Sequence, residues 1–395
     1  MVAKTLFGLE SLFAEEIIKL GASDVEVLKR AVSFSGTKDT MYRINLHSRY
    51  VLRVLVRLAS FEVNNENELY DTIYSLPWES FLNQSDTLAI DTVLHTEVFN
   101  HSQYISQRTK DAICDRFRSK FNERPSVDLE NPTLRIHLSI SKNTCHLFFD
   151  SSGDSLHKRA YRQDANLAPI NEVLASGMIG LSGWDAKSSF IDAMTGSGTI
   201  LIEAAMRAAN IAPGLVRQFY GFKNWQKQLA FDEVLWQELL DEAESSITKP
   251  EIPLMGYELS PNVIRKAKTN AARSLTGPFV QLRTLDFFNT VKHEPIGETP
   301  TLIANPPYGQ RMEKDETEEL YKQIGSTFKR NFDGFDCWVI SSNMEALKKI
   351  GLAPKLKIPL FNGALDCRFN KYPMYKGTKR IFDNNNSEIP NDSVE

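Results

Sequence analysis

The second half of this sequence predicts an α/β fold built on a doubly wound, mainly parallel sheet, and the first half predicts smaller α+β units. Three observations carry this. Beyond Ala165, short β-type runs alternate with amphipathic segments of helical length, the pattern that brings parallel strands together through helical crossovers. Near the end, the β runs Lys355–Phe361 and Asp366–Tyr372 are joined through Asn362-Gly363, a hairpin signal that adds an antiparallel pair to that sheet. Before residue 160 the order is strand, helix, strand, strand, without that regular alternation. A chain of 395 residues fits two or three such domains rather than one.

The elements follow in order. A strand near Leu6 leads into an amphipathic helix from Leu9 to Leu20, with Leu12, Phe13, Ile17 and Leu20 on one face, then strands around Val25 to Phe34 and Val51 to Leu58. A second block runs from Leu69 to Asp150. It holds a helical stretch Tyr70–Leu82 broken at Pro77, a strand Thr87–Val93, a helix from about Gln103 to Phe121, and strands Leu134–Ile140 and Thr144–Asp150 turning at Asn143. In the alternating half, Pro169 starts a helix over Ile170 to Ser182, and strand Ser189–Ala193 and helix Ile200–Ala209 precede a long insertion. Strand Pro253–Glu258, helix Asn262–Leu275, strands Val280–Leu285 and Thr301–Ala304, helix Thr317–Asn331 and strand Cys337–Ser341 complete it.

Composition narrows the function classes. Hydrophobic residues at 42% and charged residues at 24% support well-filled cores, and no run approaches the roughly 18 uninterrupted apolar residues of a membrane span. Met1-Val2-Ala3-Lys4 passes directly into a segment with acidic residues, unlike a signal peptide, so the expectation is a soluble cytoplasmic protein. Cys114, Cys145, Cys337 and Cys367 form no Cys-x-x-Cys pair and the seven histidines are dispersed, so neither a metal site nor a disulfide framework is expected. Asp383, Glu388, Asp392 and Glu395 account for the whole net charge of −4, leaving residues 1–380 neutral and free to carry a basic face. The segment 381–395, with Asn384-Asn385-Asn386 and no base, is expected to be a disordered acidic tail.

The segment Phe190-Ile191-Asp192-Ala193-Met194-Thr195-Gly196-Ser197-Gly198-Thr199 is a strand breaking into a glycine loop at a helix start. Gly196 and Gly198 let backbone approach a ligand where a side chain would collide. The third glycine of a dinucleotide fingerprint is missing, since position 201 is Leu, and the next strand-end acid, Glu258, lies 66 residues after Asp192 rather than about 20. S-adenosylmethionine fits this pattern better, because it has a sulfonium and an amino acid to place and no pyrophosphate. Glu258 is placed to accept from both ribose hydroxyls, and Asp286 from the adenine amine with Phe287 against the ring. Thr195, Ser197 and Leu259, adjacent to these residues, are assigned to the same pocket.

Asn305-Pro306-Pro307-Tyr308 follows the apolar run Thr301-Leu302-Ile303-Ala304. The exocyclic amine of a nucleobase is a poor nucleophile because its lone pair is delocalised into the ring. Hydrogen bonds from its N–H groups to the Asn305 amide oxygen and the Pro306 carbonyl favour a pyramidal nitrogen, and proline presents no competing N–H. Pro307 rigidifies the loop and Tyr308 can stack on the base, although the same tetrapeptide also serves as a plain rigid turn. Asp192, Glu258, Asp286 and Asn305 occur in the order that lines one carboxyl edge of such a sheet, where ligands bind.

Cations gather in two places. Arg116 and Lys120 lie one turn apart on a predicted helix, where a solvated helix face is the plainer alternative to RNA contact, and Lys158, Arg159 and Arg162 flank Tyr161 in a segment that could hold phosphates or be a linker.

Together, Asp192, Gly196-Ser197-Gly198-Thr199, Glu258, Asp286, Asn305-Pro306-Pro307-Tyr308-Gly309 and Leu360-Phe361-Asn362-Gly363-Ala364-Leu365-Asp366-Cys367 resemble the THUMP-containing RNA methyltransferases that modify guanine N2. Gly153-Asp154-Ser155-Leu156-His157-Lys158-Arg159-Ala160-Tyr161-Arg162 resembles the join between the two halves of that family. The likeness spans about residues 1–380 and is nearest to the bacterial 23S ribosomal RNA enzymes; the departure is Ala193-Met194-Thr195, where relatives often carry Pro and Cys. It implies a ferredoxin-like region over 1–60, an RNA-capturing THUMP domain over 61–160 and a Rossmann-like seven-stranded methyltransferase domain over 161–380. It also implies S-adenosylmethionine at Gly196, Gly198, Glu258 and Asp286, and the target amine held by residues 305–308. Adenine N6 or transfer RNA as target, and a non-catalytic RNA-binding assembly factor, are the competing expectations.

Overall fold

The computed structural model of the protein describes residues 1–162, 170–307 and 313–375, so Tyr308, Pro169 and the tail 381–395 lie outside the described residues. The N-terminal region runs β1 (Val2–Lys4), α1 (Glu10–Lys19), β2 (Ser23–Leu28), β3 (Ala31–Ser35), α2 (Lys38–His47) and β4 (Arg53–Glu62). Helix α1 forms because Phe13, Ala14 and Ile17 recur at helical spacing and are buried, with Lys19 at the negative end of the helix dipole. Helix α2, absent from the sequence reading, is started by a Thr37/Thr40 capping box and buries Met41, Tyr42, Ile44 and Leu46.

The second block continues with α3 (Glu66–Ser75), β5 (Thr87–His95), α4 (Ser102–Phe121), β6 (Ser126–Val127), β7 (Leu134–Ser141) and β8 (Thr144–Asp150). The helix expected over Tyr70–Leu82 starts four residues earlier, where the Asn65 side chain accepts from two backbone N–H groups, and stops at Ser75 before a short 3-10 turn, Trp78–Ser80. The two blocks share one eight-stranded sheet of order β2-β3-β1-β4-β8-β7-β5-β6. The long strand β4 makes the join, running antiparallel to β8 with Val56 opposite Phe149. One face of this sheet is core, through Ile136, Leu138, Ile140, Leu147 and Phe149.

The third region holds α5 (Glu172–Ser182), β9 (Phe190–Asp192), α6 (Thr199–Ala208), α7 (Glu233–Ser245), β10 (Leu254–Glu258), α8 (Pro261–Arg273), β11 (Gln281–Thr284), β12 (Thr301–Ala304), α9 (Lys314–Asn331), β13 (Asp336–Ser341), α10 (Met344–Lys348), β14 (Leu356–Asn362) and β15 (Leu365–Pro373). Its seven strands are ordered β11-β10-β9-β12-β13-β15-β14, parallel except for β15, which is antiparallel to both neighbours. The strand order reverses at β9, with β10 on one side and β12 on the other, and a crevice opens there beyond the strand ends.

Two contacts fix the halves against each other. The insertion between α6 and β10 folds back over the N-terminal core, where Phe222 and Trp236 pack on Tyr42 at ring-centroid distances of 4.5 and 5.6 Å. On α5, a Cβ at Gly177 would lie 2.5 Å from Leu9 Cδ1, so only glycine lets α1 and α5 approach this closely.

Candidate active site

The glycine loop is shaped by its neighbours. Thr195 N–H donates to the Tyr257 carbonyl at 2.8 Å and Gly198 N–H to the Thr195 carbonyl at 2.9 Å, which turns the chain sharply after β9. Gly196 and Gly198 sit at φ of 54° and 93°, the left-handed region that glycine occupies at no steric cost. A Cβ at Gly196 would meet nothing within 4 Å, whereas one at Gly198 would press on Ala267 of α8 at 3.3 Å, so the first faces open space and the second a packed helix. From below, Gly256 leaves room for the loop, since its Cβ would overlap Thr195 Oγ1 and come within 2.9 Å of Leu201 Cδ2 on α6. Asn270, which no sequence signal marked, donates from Nδ2 to the Ser197 carbonyl at 3.0 Å and ties the loop to α8.

Acids stand around this loop. Asp192 is fully buried, its Oδ2 accepts from Leu201 N–H at 3.3 Å, and its Oδ1 has no partner among the described residues. Burial, together with the nearby Glu258 carboxylate, pushes its pKa up to about 7 against the pull of the N–H donors. Glu258 Oε2 accepts from Gly196 N–H at 3.1 Å and Oε1 from Ser260 N–H at 2.9 Å, leaving a second lone pair on each oxygen. Asp286 Oδ1 accepts from Phe288 N–H at 3.0 Å at the start of a 3-10 turn. Phe287 is buried, stacked on Phe332 at 5.6 Å, so its ring belongs mainly to the core, while Leu259 is 71% exposed on the rim.

Asn305 stands at the end of β12 next to these groups. It lines one cavity of about 2020 Å³ together with Thr195, Gly196, Ser197, Glu258, Leu259, Asp286, Phe287, Pro306 and Pro307, whereas Asp192, paired with Ile303 across the sheet, is fully buried and does not line it. The Asn305 Oδ1 is buried with no hydrogen-bond partner among the described residues. An orphaned acceptor of this kind costs about 1–3 kcal/mol, a cost that a donor entering the cavity would offset.

The cations predicted to meet RNA do not converge on this cavity. Arg116 donates to both Glu79 carboxylate oxygens, at 2.8 and 2.7 Å, and to the Tyr74 carbonyl, and Lys120 pairs with the same Glu79. Those two bonds hold the Glu79 carboxyl down at about 2. Arg159 is 3% exposed, donating to the Leu156 and Arg49 carbonyls at 3.1 and 2.7 Å beside Glu203. Arg162 binds Thr199 Oγ1 at 2.6 Å and Glu172 at 3.2 Å, which places it under the glycine loop. Lys158 is the most exposed of the five, paired with Asp154 one turn away, and Lys120 is also exposed. The spacing that suggested a charged stripe could not reveal Glu79 or Glu203, which are distant in sequence.

Among the described residues no cluster of metal-ligating side chains and no helix long and apolar enough to cross a membrane is present. All four cysteines are buried, and no disulfide is formed among the described residues.

A parallel sheet reversing at β9, closed by an antiparallel β15, with acids at the ends of its first two strands and Asn-Pro-Pro after the fourth, defines a class I methyltransferase fold. The chain belongs to the family described as RMKL-like, methyltransferase domain, which matches residues 159–371, and it carries a THUMP domain over 63–150 and an RlmL ferredoxin-like domain over 1–55. It is 38% identical over 376 residues to ribosomal RNA large subunit methyltransferase K/L of Syntrophotalea carbinolica, covering 91% of this chain and 52% of that protein. The chain thus spans about half the length of that relative. It is 36% identical to "Putative RNA methyltransferase slr0064" of Synechocystis, covering 93% of this chain and 95% of that one. In structure it matches SMU.472, described as "a putative methyltransferase complexed with SAH", with a TM-score of 0.81 and 26% identity over 95% of this chain and 98% of that one.

The buried Asp192 carboxyl gives a direct test of the pocket's electrostatics. A carboxyl whose folded pKa lies above its unfolded value costs nothing below about pH 4, and its cost grows until about pH 7, with an upper bound near 4 kcal/mol. Asp192→Asn removes that cost. The melting temperature of the ligand-free variant relative to wild type is therefore expected to rise steadily from pH 4 to pH 7 and then level; a difference that stays flat with pH contradicts the assignment.

Proposed function

We propose that this chain is an S-adenosylmethionine-dependent RNA methyltransferase that methylates the exocyclic N2 amine of a guanine in 23S ribosomal RNA. The observation that carries the reading is the buried Asn305 Oδ1, without a partner among the described residues, on the wall of the cavity that also holds the Gly196 loop, Glu258 and Asp286. The residues present fit the cofactor: Gly196 opens onto empty space and Glu258 keeps acceptor capacity for ribose hydroxyls. When bound, S-adenosylmethionine supplies a methyl made electrophilic by its sulfonium.

The chain's own residues then have positioning work to do. Asn305 Oδ1 and the Pro306 carbonyl accept from the two N–H groups of the amine, drawing its lone pair out of conjugation and stabilising the positive charge that develops on nitrogen. Because the cavity lies beyond the strand ends, the base must leave its stack to reach Asn305, at a cost that is least in looped or single-stranded RNA. Tyr308, outside the described residues, is the proposed stacking partner.

The names of the K/L and slr0064 relatives, and the THUMP domain, support RNA as the substrate. The test is incubation with labelled S-adenosylmethionine and unmodified ribosomal or transfer RNA, followed by nucleoside analysis. N2-methylguanosine in 23S RNA is expected. N6-methyladenosine, or label in transfer RNA alone, overturns the target, and no binding of S-adenosylmethionine overturns the enzyme.

A further inference from the structure

A cavity of about 2020 Å³ is more than a cofactor and one base require, since small-molecule pockets run from about 300 to 1,000 Å³. The surplus lies toward the N-terminal region. Lys4 of β1, Phe7, and Lys29 and Arg30 of the β2–β3 turn line the same cavity as Asn305, facing Phe361 and Leu365 of the β14–β15 hairpin. Arg30 Cζ stands 5.7 Å from the centroid of the Phe361 ring, and Phe7 meets that ring edge-on at 5.5 Å.

The turn is held in an unusual conformation. Arg30 has φ of 56°, a left-handed geometry that costs a non-glycine residue roughly 1 kcal/mol. Two bonds fix it: Arg30 N–H donates to Glu10 Oε1, and Thr5 N–H donates to the Arg30 carbonyl, each at 3.0 Å. Neither Lys4, Lys29 nor Arg30 has an ion-pair partner among the described residues, in contrast to Arg116, Lys120, Lys158, Arg159 and Arg162. Burial alone holds the Lys4 ammonium below its usual range, with no carboxylate opposing it. Unpaired cations beside aromatic faces are what a single-stranded nucleic acid binds: phosphate on the cations, a base on the ring.

We propose that Lys29 and Arg30, with Lys4, Phe7 and Phe361, form a binding subsite for the nucleotide next to the target in single-stranded RNA. The ferredoxin-like region is then a wall of the active site rather than a tethered capture module. This subsite rests on the RNA reading above.

The test titrates a fluorescein-labelled single-stranded oligoribonucleotide against wild type and Lys29→Gln/Arg30→Gln in the presence of S-adenosylhomocysteine, at several KCl concentrations. With about 0.7 in salt slope per phosphate contact on single strands, the double variant is expected to lose about 1.4 from the slope of log Kd against log salt. Its KM for RNA rises while kcat and the affinity for S-adenosylhomocysteine hold. Phe361→Leu, which keeps apolar bulk against Phe7, is expected to weaken RNA binding about tenfold at unchanged salt slope. An unaltered slope and affinity in the double variant overturns the subsite. If wild type binds the oligonucleotide with the full slope yet methylates no RNA, the methylation reading falls and the subsite stands.

Discussion

Asn305→Ala is expected to lower methyl transfer by about 10²–10³-fold while leaving S-adenosylmethionine affinity within a few-fold of wild type. The reason lies in the cavity wall: the Asn305 Oδ1 is buried without a partner among the described residues, so the variant loses no bond to them. In the proposed reaction its partner is the substrate amine. The substitution also removes a buried acceptor that costs about 1–3 kcal/mol to leave unsatisfied, so the ligand-free variant is expected to melt at the same temperature as wild type or higher. Lost turnover combined with retained or increased stability separates a substrate contact from a structural asparagine. A single-turnover assay and a thermal scan measure both, and a fully active variant, or one that is inactive because it has unfolded, refutes the role.

Arg159→Met is expected to destabilise the protein by about 3–5 kcal/mol, the cost of leaving a buried charge without its partner. Arg159 is 3% exposed and sits between Glu203, which is fully buried, and the carbonyls of Leu156 and Arg49. Glu203 also accepts from Tyr161 Oη at 3.2 Å and Ser176 Oγ at 2.5 Å, so its carboxylate anchors the segment before residue 163 to both α5 and α6. Removing the guanidinium strips donors from that junction and leaves Glu203 the only formal charge of the pair. The denaturation midpoint is expected to fall sharply while the salt slope of RNA binding is unchanged. The opposite outcome, a constant midpoint with a shallower salt slope, would make Arg159 a phosphate contact.

These two residues mark where sequence was enough and where it was not. Strand-end chemistry was legible because a parallel sheet fixes its own active edge: once the runs ending at Asp192, Glu258 and Ala304 are strands, the residues at and just beyond those ends meet at one crevice. The glycines were legible for a related reason, since a turn at φ of 54° and 93° accepts few other residues. Helix α2 was missed because its short polar start, Lys38-Asp39, hides an apolar face that tertiary packing completes. The partners of the basic residues were not legible, because a cation's role depends on what stands opposite it. Arg116 and Glu79 are 37 residues apart, and Arg159 and Glu203 are 44 apart.

The sequence by itself determined the alternation that makes a parallel sheet, the antiparallel hairpin that closes it, and the order of acids, glycines and Asn-Pro-Pro along one edge. Local propensity and periodicity encode all of these within a few tens of residues. Only the tertiary structure decided that β4 fuses two blocks into one eight-stranded sheet, that most of the suspected RNA cations pair with carboxylates of the chain itself, and that Lys29, Arg30 and Phe7 line one cavity with Asn305. Those outcomes depend on contacts between residues far apart in the chain, which burial and charge pairing select only once the whole molecule has packed.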